Sequence, residues 1–259
     1  MQKGARRKVS TVDVYEKPVQ KDPVLIEGLP GIGFVANIVA LHLIQELKAK
    51  PFAEIRLSSF QDIAITASDG KALFPTNEFY YYKGRSKEER DLIILYGNTQ
   101  ALTTVGQYEL CGRALDIAKE YGCRYVITLG GFRLDEKVNV PPKLYCAASD
   151  PETLKEALNL GAEIIEGQIF GVAGLLIGLC KLWNMRGFCL LGETQGFYPD
   201  ASAAHEVLSA IRRMLNLNVD MSRLETAAEA TREVLRSFGM ESQPPEEKTT
   251  EEPSYRWHV

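Results

Sequence analysis

Residues 24–36 read VLIEGLPGIGFVA, which predicts a buried strand that turns tightly into a helix. The apolar run 24–26 is typical of a strand that is covered on both faces of a sheet. The largely apolar segment 34–48 is long enough to form the helix. Between them the turn contains Gly28, Pro30, Gly31 and Gly33. A strand, a glycine turn and a helix in this order predict one unit of a sheet whose faces are covered by helices.

The same alternation of strands and helices continues along the chain. Residues 91–96 (DLIILY) and 125–129 (YVITL) predict two more buried strands, the second closed by Gly130 and Gly131. Asp69-Gly70 predicts a hairpin turn. Further strands are predicted at 52–58, 62–67, 77–83, 144–148 and 187–192, and further helices at 103–121, from Asp150-Pro151, at 171–183, at 199–215 and at 222–238.

This order of elements predicts an α/β fold with a mostly parallel sheet flanked by helices. The strands predicted between residues 52 and 83 add an antiparallel section. We expect a basic N-terminal extension at residues 1–8 and a single domain at 9–239. Residues 240–259 contain five glutamates and few apolar side chains, so they predict a disordered acidic tail.

Charge and cysteine content exclude several classes of protein. The chain has 259 residues, with 30 lysines and arginines against 34 aspartates and glutamates, so its net charge is −4. A dedicated nucleic-acid binder needs an excess of cations, so we expect no nucleic-acid partner. Five cysteines without a C-x-x-C pair, and only three histidines, predict neither a disulfide framework nor a metal site.

No segment predicts insertion into a membrane or export. The uncharged stretch 28–45 contains Asn37 and His42, and the stretch 167–180 is shorter than the ~20 residues that a spanning helix needs. The basic N-terminal residues are not followed by an apolar run before Glu16, so no signal peptide is predicted. We therefore expect a cytoplasmic protein.

The pattern Gly31-x-Gly33-x-x-Ala36 has two interpretations. It matches the dinucleotide fingerprint, in which glycines allow a pyrophosphate to approach the start of a helix. The fingerprint also requires an acidic residue about 20 positions later, and residues 56–60 (RLSSF) contain none. The other interpretation is a tight turn that packs closely, and on this interpretation we expect no cofactor.

Other candidate catalytic residues are isolated in the sequence. Cys180 and Cys189 lie in apolar segments without a neighbouring histidine, so packing explains them. Four carboxylates lie near the ends of core elements, where they either converge as a pair or act as caps and loop acceptors: Glu27, Glu166, Glu193 and Asp200.

The chain ends in an aromatic cluster, Tyr255-Arg256-Trp257-His258-Val259, behind the acidic stretch. An aromatic anchor with a free carboxylate is the form of a docking peptide, because the ring fills a pocket while the carboxylate meets a cation or backbone amides. A frayed terminus without a role is the alternative.

Together these segments resemble the proteasome assembly chaperone family, in its archaeal branch. The resemblance extends over about residues 22–238. Its motifs are residues 28–33 (GLPGIG), the strand and glycine pair at 125–131, Gly171-x-x-Gly174-Leu-Leu176, Gly192-Glu193-Thr194, Tyr198-Pro199-Asp200 and Leu217-x-Val219-Asp220.

The resemblance implies a single domain of nucleoside-phosphorylase-like topology, homo-oligomers and no catalytic activity. It implies proteasome α subunits as partners, together with further copies of the chain or a related member. Some members end in a hydrophobic–Tyr–any tripeptide that docks between α subunits. Trp257 matches the hydrophobic position, whereas His258 replaces the tyrosine, so weaker docking is expected. Two other functions remain open: a small-molecule or nucleotide-binding enzyme that uses the Gly31-x-Gly33 turn, and a scaffold for a family member.

Overall fold

The computed structural model describes residues 10–66, 69–133, 139, 141–196, 198–224 and 226. The strands are β1 (Thr11–Val14), β2 (Val24–Gly28), β3 (Lys50–Arg56), β4 (Ile65–Thr66), β5 (Ala72–Leu73), β6 (Asn77–Tyr82), β7 (Leu92–Gly97), β8 (Tyr125–Arg133), β9 (Leu144–Ala148), β10 (Glu163–Ile164) and β11 (Arg186–Thr194). The helices are α1 (Val35–Leu47), α2 (Thr104–Glu120), α3 (Pro151–Leu158), α4 (Gly171–Leu179) and α5 (Ala201–Met214).

Nine strands of the described chain form one sheet, in the order β1-β3-β6-β7-β2-β8-β11-β9-β10. Its centre is parallel and consists of β7, β2, β8 and β11. An antiparallel section of β1, β3 and β6 joins β7, and β9 runs antiparallel to β11 on the other side. The predicted α/β class is confirmed. The sheet is mixed, because β9 also pairs antiparallel with β11, and so its antiparallel part is larger than the sequence predicted.

Helices cover both faces of the central strands, which explains the continuous apolar runs. Along β2, Leu25 faces α2 and α4, while Ile26 faces α1 and α5. Both side chains are fully buried. Successive side chains of a strand point to opposite faces, so only a strand with two covered faces can keep every position apolar.

Local capping signals are confirmed by the structure. The Asp150 carboxylate accepts hydrogen bonds from the backbone N–H groups of Glu152 and Thr153 at the start of α3, and Pro151 is the first helical residue. Gly122 follows α2 with a φ of +85°, as a C-terminal glycine cap requires. Each of these caps involves residues only a few positions apart, so a short stretch of sequence is enough to predict it.

Three element boundaries differ from the prediction. The strand predicted at 62–67 is only β4, which pairs with β5 in a separate hairpin around Asp69-Gly70. Strand β8 does not stop at Leu129 but continues to Arg133, because β11 pairs with it along its whole length. The α-helix that begins at Gly171 ends at Leu179 and continues as a 3-10 turn over Cys180–Trp183.

The short β1 and β10 were not predicted, because both lie at exposed edges of the sheet.

Several predicted segments lie outside the described residues. Of the helix predicted at 222–238, residues 222–224 and 226 are described and are helical. The predicted N-terminal extension 1–8, the rest of that helix and the predicted tail 240–259 are not described.

Candidate functional site

The glycine turn lies where β2 ends, at the carboxyl edge of the sheet, which is the edge at which the four central parallel strands finish. Gly31 is extended, with a φ of −153°, whereas Gly33 has a φ of +61°. The Gly33 carbonyl accepts a hydrogen bond of 2.8 Å from the Asp200 backbone N–H. The turn therefore connects the start of α1 to the start of α5, although the two are far apart in the sequence.

Backbone and side chains of the protein itself occupy the space beside Gly33 and beside Gly131 of β8. A Cβ at Gly131 would lie 2.4 Å from the Ile32 carbonyl oxygen, and one at Gly33 would lie 2.9 Å from Thr194 Oγ1. A Cβ at Gly31 would meet nothing within 4 Å. Gly33 and Gly131 are thus required for close packing of the glycine turn against β8 and β11. In a dinucleotide fingerprint such room is left for a pyrophosphate.

The Gln100 side chain, which the sequence analysis did not single out, joins three segments at the carboxyl edge. Its Nε2 donates to the Pro30 carbonyl at 2.7 Å, and its Oε1 accepts from the Val172 N–H at 3.1 Å and from Gln107 Nε2 at 3.1 Å. A Cβ at Gly171 would lie 2.9 Å from the same Oε1. One amide therefore positions the glycine turn, α2 and α4. In the sequence, the only sign of this role is an amide residue just after a predicted buried strand.

The other predicted motif residues also have structural partners. The Asp200 carboxylate caps α5 by accepting a hydrogen bond from the Ala203 N–H at 3.0 Å. It also accepts a hydrogen bond from the Thr194 hydroxyl at 2.7 Å. Close contacts explain two more glycines, since a Cβ at Gly28 or Gly174 would lie 2.2 Å from Ala40 Cβ or from the Ile169 carbonyl oxygen respectively. Pro199 precedes the cap and is exposed.

Exposed apolar side chains surround the carboxyl edge. We call four of them the apolar edge: Ile32, Phe34, Leu102 and Phe170, with exposures of 48%, 47%, 64% and 83%. They flank the segments that Gln100 joins. Val105 and Tyr108 continue the apolar surface along α2, with exposures of 79% and 53%. Apolar patches of this kind mark protein interaction sites.

The apolar side chains of segment 34–48 are mostly covered. Helix α1 packs between the sheet and α5, so Val35, Val39 and Leu43 are fully buried. Segment 34–48 keeps only Phe34 and Leu41 among the exposed large apolar residues of the described chain, and most of the others lie in loops, in short edge strands and on α2. The spacing of apolar residues does not distinguish covered side chains from exposed ones, because it does not say which helices share a face of the sheet.

The four candidate carboxylates are not paired. In the described part of the chain no hydrogen bond joins one of them to another. Burial alone would raise the pKa of Glu193, but hydrogen bonds from the Lys143 N–H and from Asn139 lower it below its ordinary value. Glu166 is exposed. The interpretation as caps and loop acceptors therefore holds for Glu193 and Asp200.

Glu27 is buried in the core below the carboxyl edge, with an exposure of 1%. Its Oε1 accepts from the Leu29 N–H at 2.8 Å, while its Oε2 has no hydrogen-bond partner among the described residues. Burial raises the pKa of Glu27 to about 8, although backbone N–H groups of Leu29 and Leu129 oppose the shift. The carboxyl group is therefore largely protonated at neutral pH, which limits the cost of burying it.

The five cysteines are free and buried. Burial raises the pKa of Cys189 to about 12 and also raises the pKa of Cys180, so both remain thiols at neutral pH. The thiolate is the nucleophilic form, so neither side chain is activated for covalent catalysis.

The described residues contain neither a cluster of metal-binding side chains nor a helix that could span a membrane. Within residues 10–66, 69–133, 139, 141–196, 198–224 and 226 there is no group of three or more histidine, cysteine, aspartate or glutamate side chains that could hold a metal ion. None of the helices in that part of the chain is both long enough and apolar enough to span a membrane.

The predicted partner-binding residues Tyr255, Trp257, His258 and Val259 lie outside the described residues. Their docking role stays a prediction. The carboxyl edge brings together Gly31, Gly33, Gly171 and Asp200, which the sequence analysis had named in separate motifs.

Comparison with known proteins identifies the family. Residues 25–238 match the model of the PAC2 family, which is most of the chain. The chain belongs to the PAC2 family. An uncharacterized protein of Methanocaldococcus jannaschii, MJ1210, is 36% identical over 233 residues, covering 88% of this chain and 85% of the relative.

Two solved structures from Pyrococcus furiosus share the fold. PbaB, described as an archaeal proteasome activator, superposes with a TM-score of 0.83 at 40% identity, over 90% of this chain and all of PbaB. PbaA, described as an archaeal homolog of proteasome-assembly chaperone, gives a TM-score of 0.72 at 26% identity, over 89% of this chain and 96% of PbaA. The resemblance seen in the sequence is thereby confirmed.

Proposed function

We propose that this PAC2 protein is a non-enzymatic chaperone or adaptor of the proteasome in the cytoplasm, which self-associates and binds the proteasome α-ring. The observation that carries the proposal is the similarity to PbaB, because it extends over the whole length of a protein described as a proteasome activator. The filled space at Gly33 and Gly131 and the protonated cysteines support a function without catalysis.

The C-terminal residues supply the contact with the ring in this proposal. Trp257 fills a pocket between subunits, and the Val259 carboxylate meets a cation. Residues 241–254 act as a spacer of 14 residues, which at ~3 Å per residue reaches about 40 Å when extended. Several tails on one oligomer bind a symmetric ring with avidity, so each tail can be weak alone.

The experiment measures binding of the purified full chain to immobilised proteasome α-rings. Trp257→Ala should weaken binding at least ~10-fold, because a desolvated aromatic anchor contributes about 2 kcal/mol or more. Deletion of 255–259 should do the same. His258→Tyr should strengthen binding, since it restores the phenol of the hydrophobic–Tyr–any tripeptide. Equal binding by the native chain and by both weakened variants would remove the tail from the proposal.

Self-association is assigned to the apolar edge. Phe170 and Val19 are matched positions, since each has an exposure of 83%, but only Phe170 belongs to the apolar edge. Phe170→Asp should lower the particle mass measured by light scattering, because a charge opposes burial in an interface. Val19→Asp should leave it unchanged. A native chain that is monomeric at micromolar concentration contradicts this part of the proposal.

A further inference from the structure

A wide cleft lies at the amino edge of the sheet, where the parallel strands β2, β7, β8 and β11 begin, opposite the carboxyl edge. Its volume is about 810 Å³. One wall is the loop between β6 and β7, and the other contains Arg124 and Arg186 at the starts of β8 and β11. We call it the amino-edge cleft, and it is lined by Lys21, Asp22, Lys83, Gly84, Arg85, Ser86, Lys87, Glu89, Arg90, Asp91, Arg124, Tyr125 and Arg186.

The lining of this cleft is strongly cationic in a protein whose net charge is −4. Seven lining residues are lysines or arginines and three are carboxylates. Two of these carboxylates are already engaged. Asp91 accepts from the Lys21 N–H at 2.7 Å and from the Gly84 N–H at 2.9 Å, and Glu89 accepts from the Arg85 N–H at 2.6 Å. Their hydrogen bonds shape the loop, so they are not simply counter-charges for the cations.

Among the described residues, most of these cations have no acidic partner. Arg186 forms an ion pair with Glu152 at 2.6 Å. In the described part of the chain, no carboxylate lies within ion-pair distance of Lys83, Lys87 or Arg124, and all three side chains are exposed. The positive charge is carried by long side chains from separate segments of chain. That arrangement suits a series of spaced carboxylates better than one compact anion, because each long side chain can reach a separate carboxylate.

The chain contains a segment of matching charge. Residues 241–252 carry five glutamates and one lysine, while the cleft has seven cations and three carboxylates. The described C-terminal part of the chain also passes the cleft. The Arg90 N–H, in the cleft wall, donates to the Leu215 carbonyl at the end of α5. Arg223 pairs with Glu46 near the end of α1 that faces the amino edge.

We propose that residues 241–252 dock in the amino-edge cleft of the same chain. The glutamates pair with Lys83, Lys87, Arg124 and the neighbouring cations of the lining. Residues 255–259 are then held beside the amino edge until a partner or salt displaces the segment. The inference is independent of the proposed function, because the contact lies within one protein and its test contains no proteasome.

The test follows the rotational freedom of a fluorophore on the tail of the full chain. Ser254→Cys provides a labelling site beyond the glutamates, and the five native cysteines are buried, which makes labelling selective. We expect high anisotropy at low salt and a fall in ~0.5 M NaCl, where exposed ion pairs are screened. Replacing the five glutamates by glutamine should lower the anisotropy at low salt to the same value.

The cleft is tested by the double variant Lys87→Glu, Arg124→Glu, whose side chains are exposed, so the fold should be kept. It should reproduce the low anisotropy of the glutamine tail. Lys71→Glu is the control, since Lys71 is also an exposed cation but lies in the β4–β5 hairpin near the carboxyl edge, where it pairs with Asp69. A thermal melt of each variant confirms folding.

Two results would overturn the proposal. The first is an anisotropy that neither the glutamine tail nor the cleft variant changes. The second concerns the same-chain assignment and uses labelled cleft variant mixed with excess unlabelled native chain. If the native chain restores the high anisotropy, the tail docks on another copy, and the proposal in its stated form is wrong.

Discussion

At the carboxyl edge of the sheet the Thr194 side chain fills the space beside Gly33 and the Ile32 backbone fills the space beside Gly131, whereas at the amino edge a cleft of about 810 Å³ is open. In open α/β sheets, ligands usually bind at the carboxyl ends of strands, where neighbouring strands lead in opposite directions. Strand β2, between β7 and β8, forms such a point here. The molecule therefore keeps the architecture of a ligand-binding fold, while its own chain fills the space beside Gly33 and Gly131 at the customary site.

The two edges also differ in what holds them together. Gln100 and Asp200 connect segments at the carboxyl edge through neutral amides, a carboxylate cap and backbone groups. At the amino edge, Asp91 holds the cleft loop through two N–H groups, and long cationic side chains complete the lining. Packing thus dominates one edge and charge the other. This difference predicts that substitutions at the carboxyl edge change global stability, whereas those at the amino edge change binding and local order.

The largest effect is expected from Gly131→Ala, with Gly31→Ala as its matched control. A Cβ at Gly131 would lie 2.4 Å from the Ile32 carbonyl oxygen, and the backbone must move to admit it. We expect a loss of about 3 kcal/mol in the free energy of unfolding. At Gly31 the backbone is extended and a Cβ meets nothing within 4 Å, so the change should stay within ~0.5 kcal/mol. Urea unfolding of both variants checks this, and equal stabilities would show that the carboxyl edge is not tightly packed.

A second prediction concerns Glu27, which links the stability of the core to pH. Burial raises the pKa of Glu27 in the folded protein to about 8, from its ordinary value of 4.5. Between these values the unfolded chain releases the proton and the folded chain keeps it, so stability falls as pH rises. The slope approaches about 1.4 kcal/mol per pH unit and flattens above the folded pKa.

Urea unfolding between pH 5 and 8 should show this decline in the native protein. Glu27→Gln keeps a neutral side chain of similar shape and should remove most of the slope in that range. The Glu166→Gln variant is a suitable control, because Glu166 is exposed. A native stability that rises with pH over the same range would mean that Glu27 is ionised in the folded state.

Short-range features of the fold could be predicted, and long-range contacts could not. The apolar run DLIILY, the Asp150 cap and the Gly122 cap each depend on a few consecutive residues. The role of Gln100 depends on Pro30 and Val172, which lie about 70 positions away on either side. No local pattern distinguishes such an amide from a solvated loop residue.

The candidate site illustrates the same limit. The sequence placed Gly31 and Gly33 in a turn. Whether such a turn leaves room for a ligand or packs against the protein depends on which atoms lie beside it. Thr194 and the Ile32 carbonyl fill that space only because β2, β8 and β11 are brought to one edge. The basic lining of the amino-edge cleft comes from four separate segments, so its charge does not appear as a cluster in the sequence.

The smallest effect is expected from Asp91→Asn, which tests whether the amino edge is held locally. Asp91 is nearly buried, and its two carboxylate oxygens accept from the Lys21 and Gly84 N–H groups. An amide has one oxygen and one NH₂ group, so one of these hydrogen bonds must be lost. A hydrogen bond to a charged acceptor contributes ~1.5–3 kcal/mol, and we expect about 1 kcal/mol globally because the loop can relax into solvent.

The informative measurement is amide hydrogen exchange at single residues. Gly84 should exchange faster in Asp91→Asn, since its N–H loses a partner or gains a weaker one, while Val172 at the carboxyl edge should keep its protection. Asp22→Asn is the control, because Asp22 also lines the cleft but its side chain is exposed. If Gly84 and Val172 lose protection together, the two edges open as one cooperative unit and the contrast between them fails. If only Gly84 responds, the cleft loop is a local unit that can adjust to an acidic segment without disturbing the packed edge opposite.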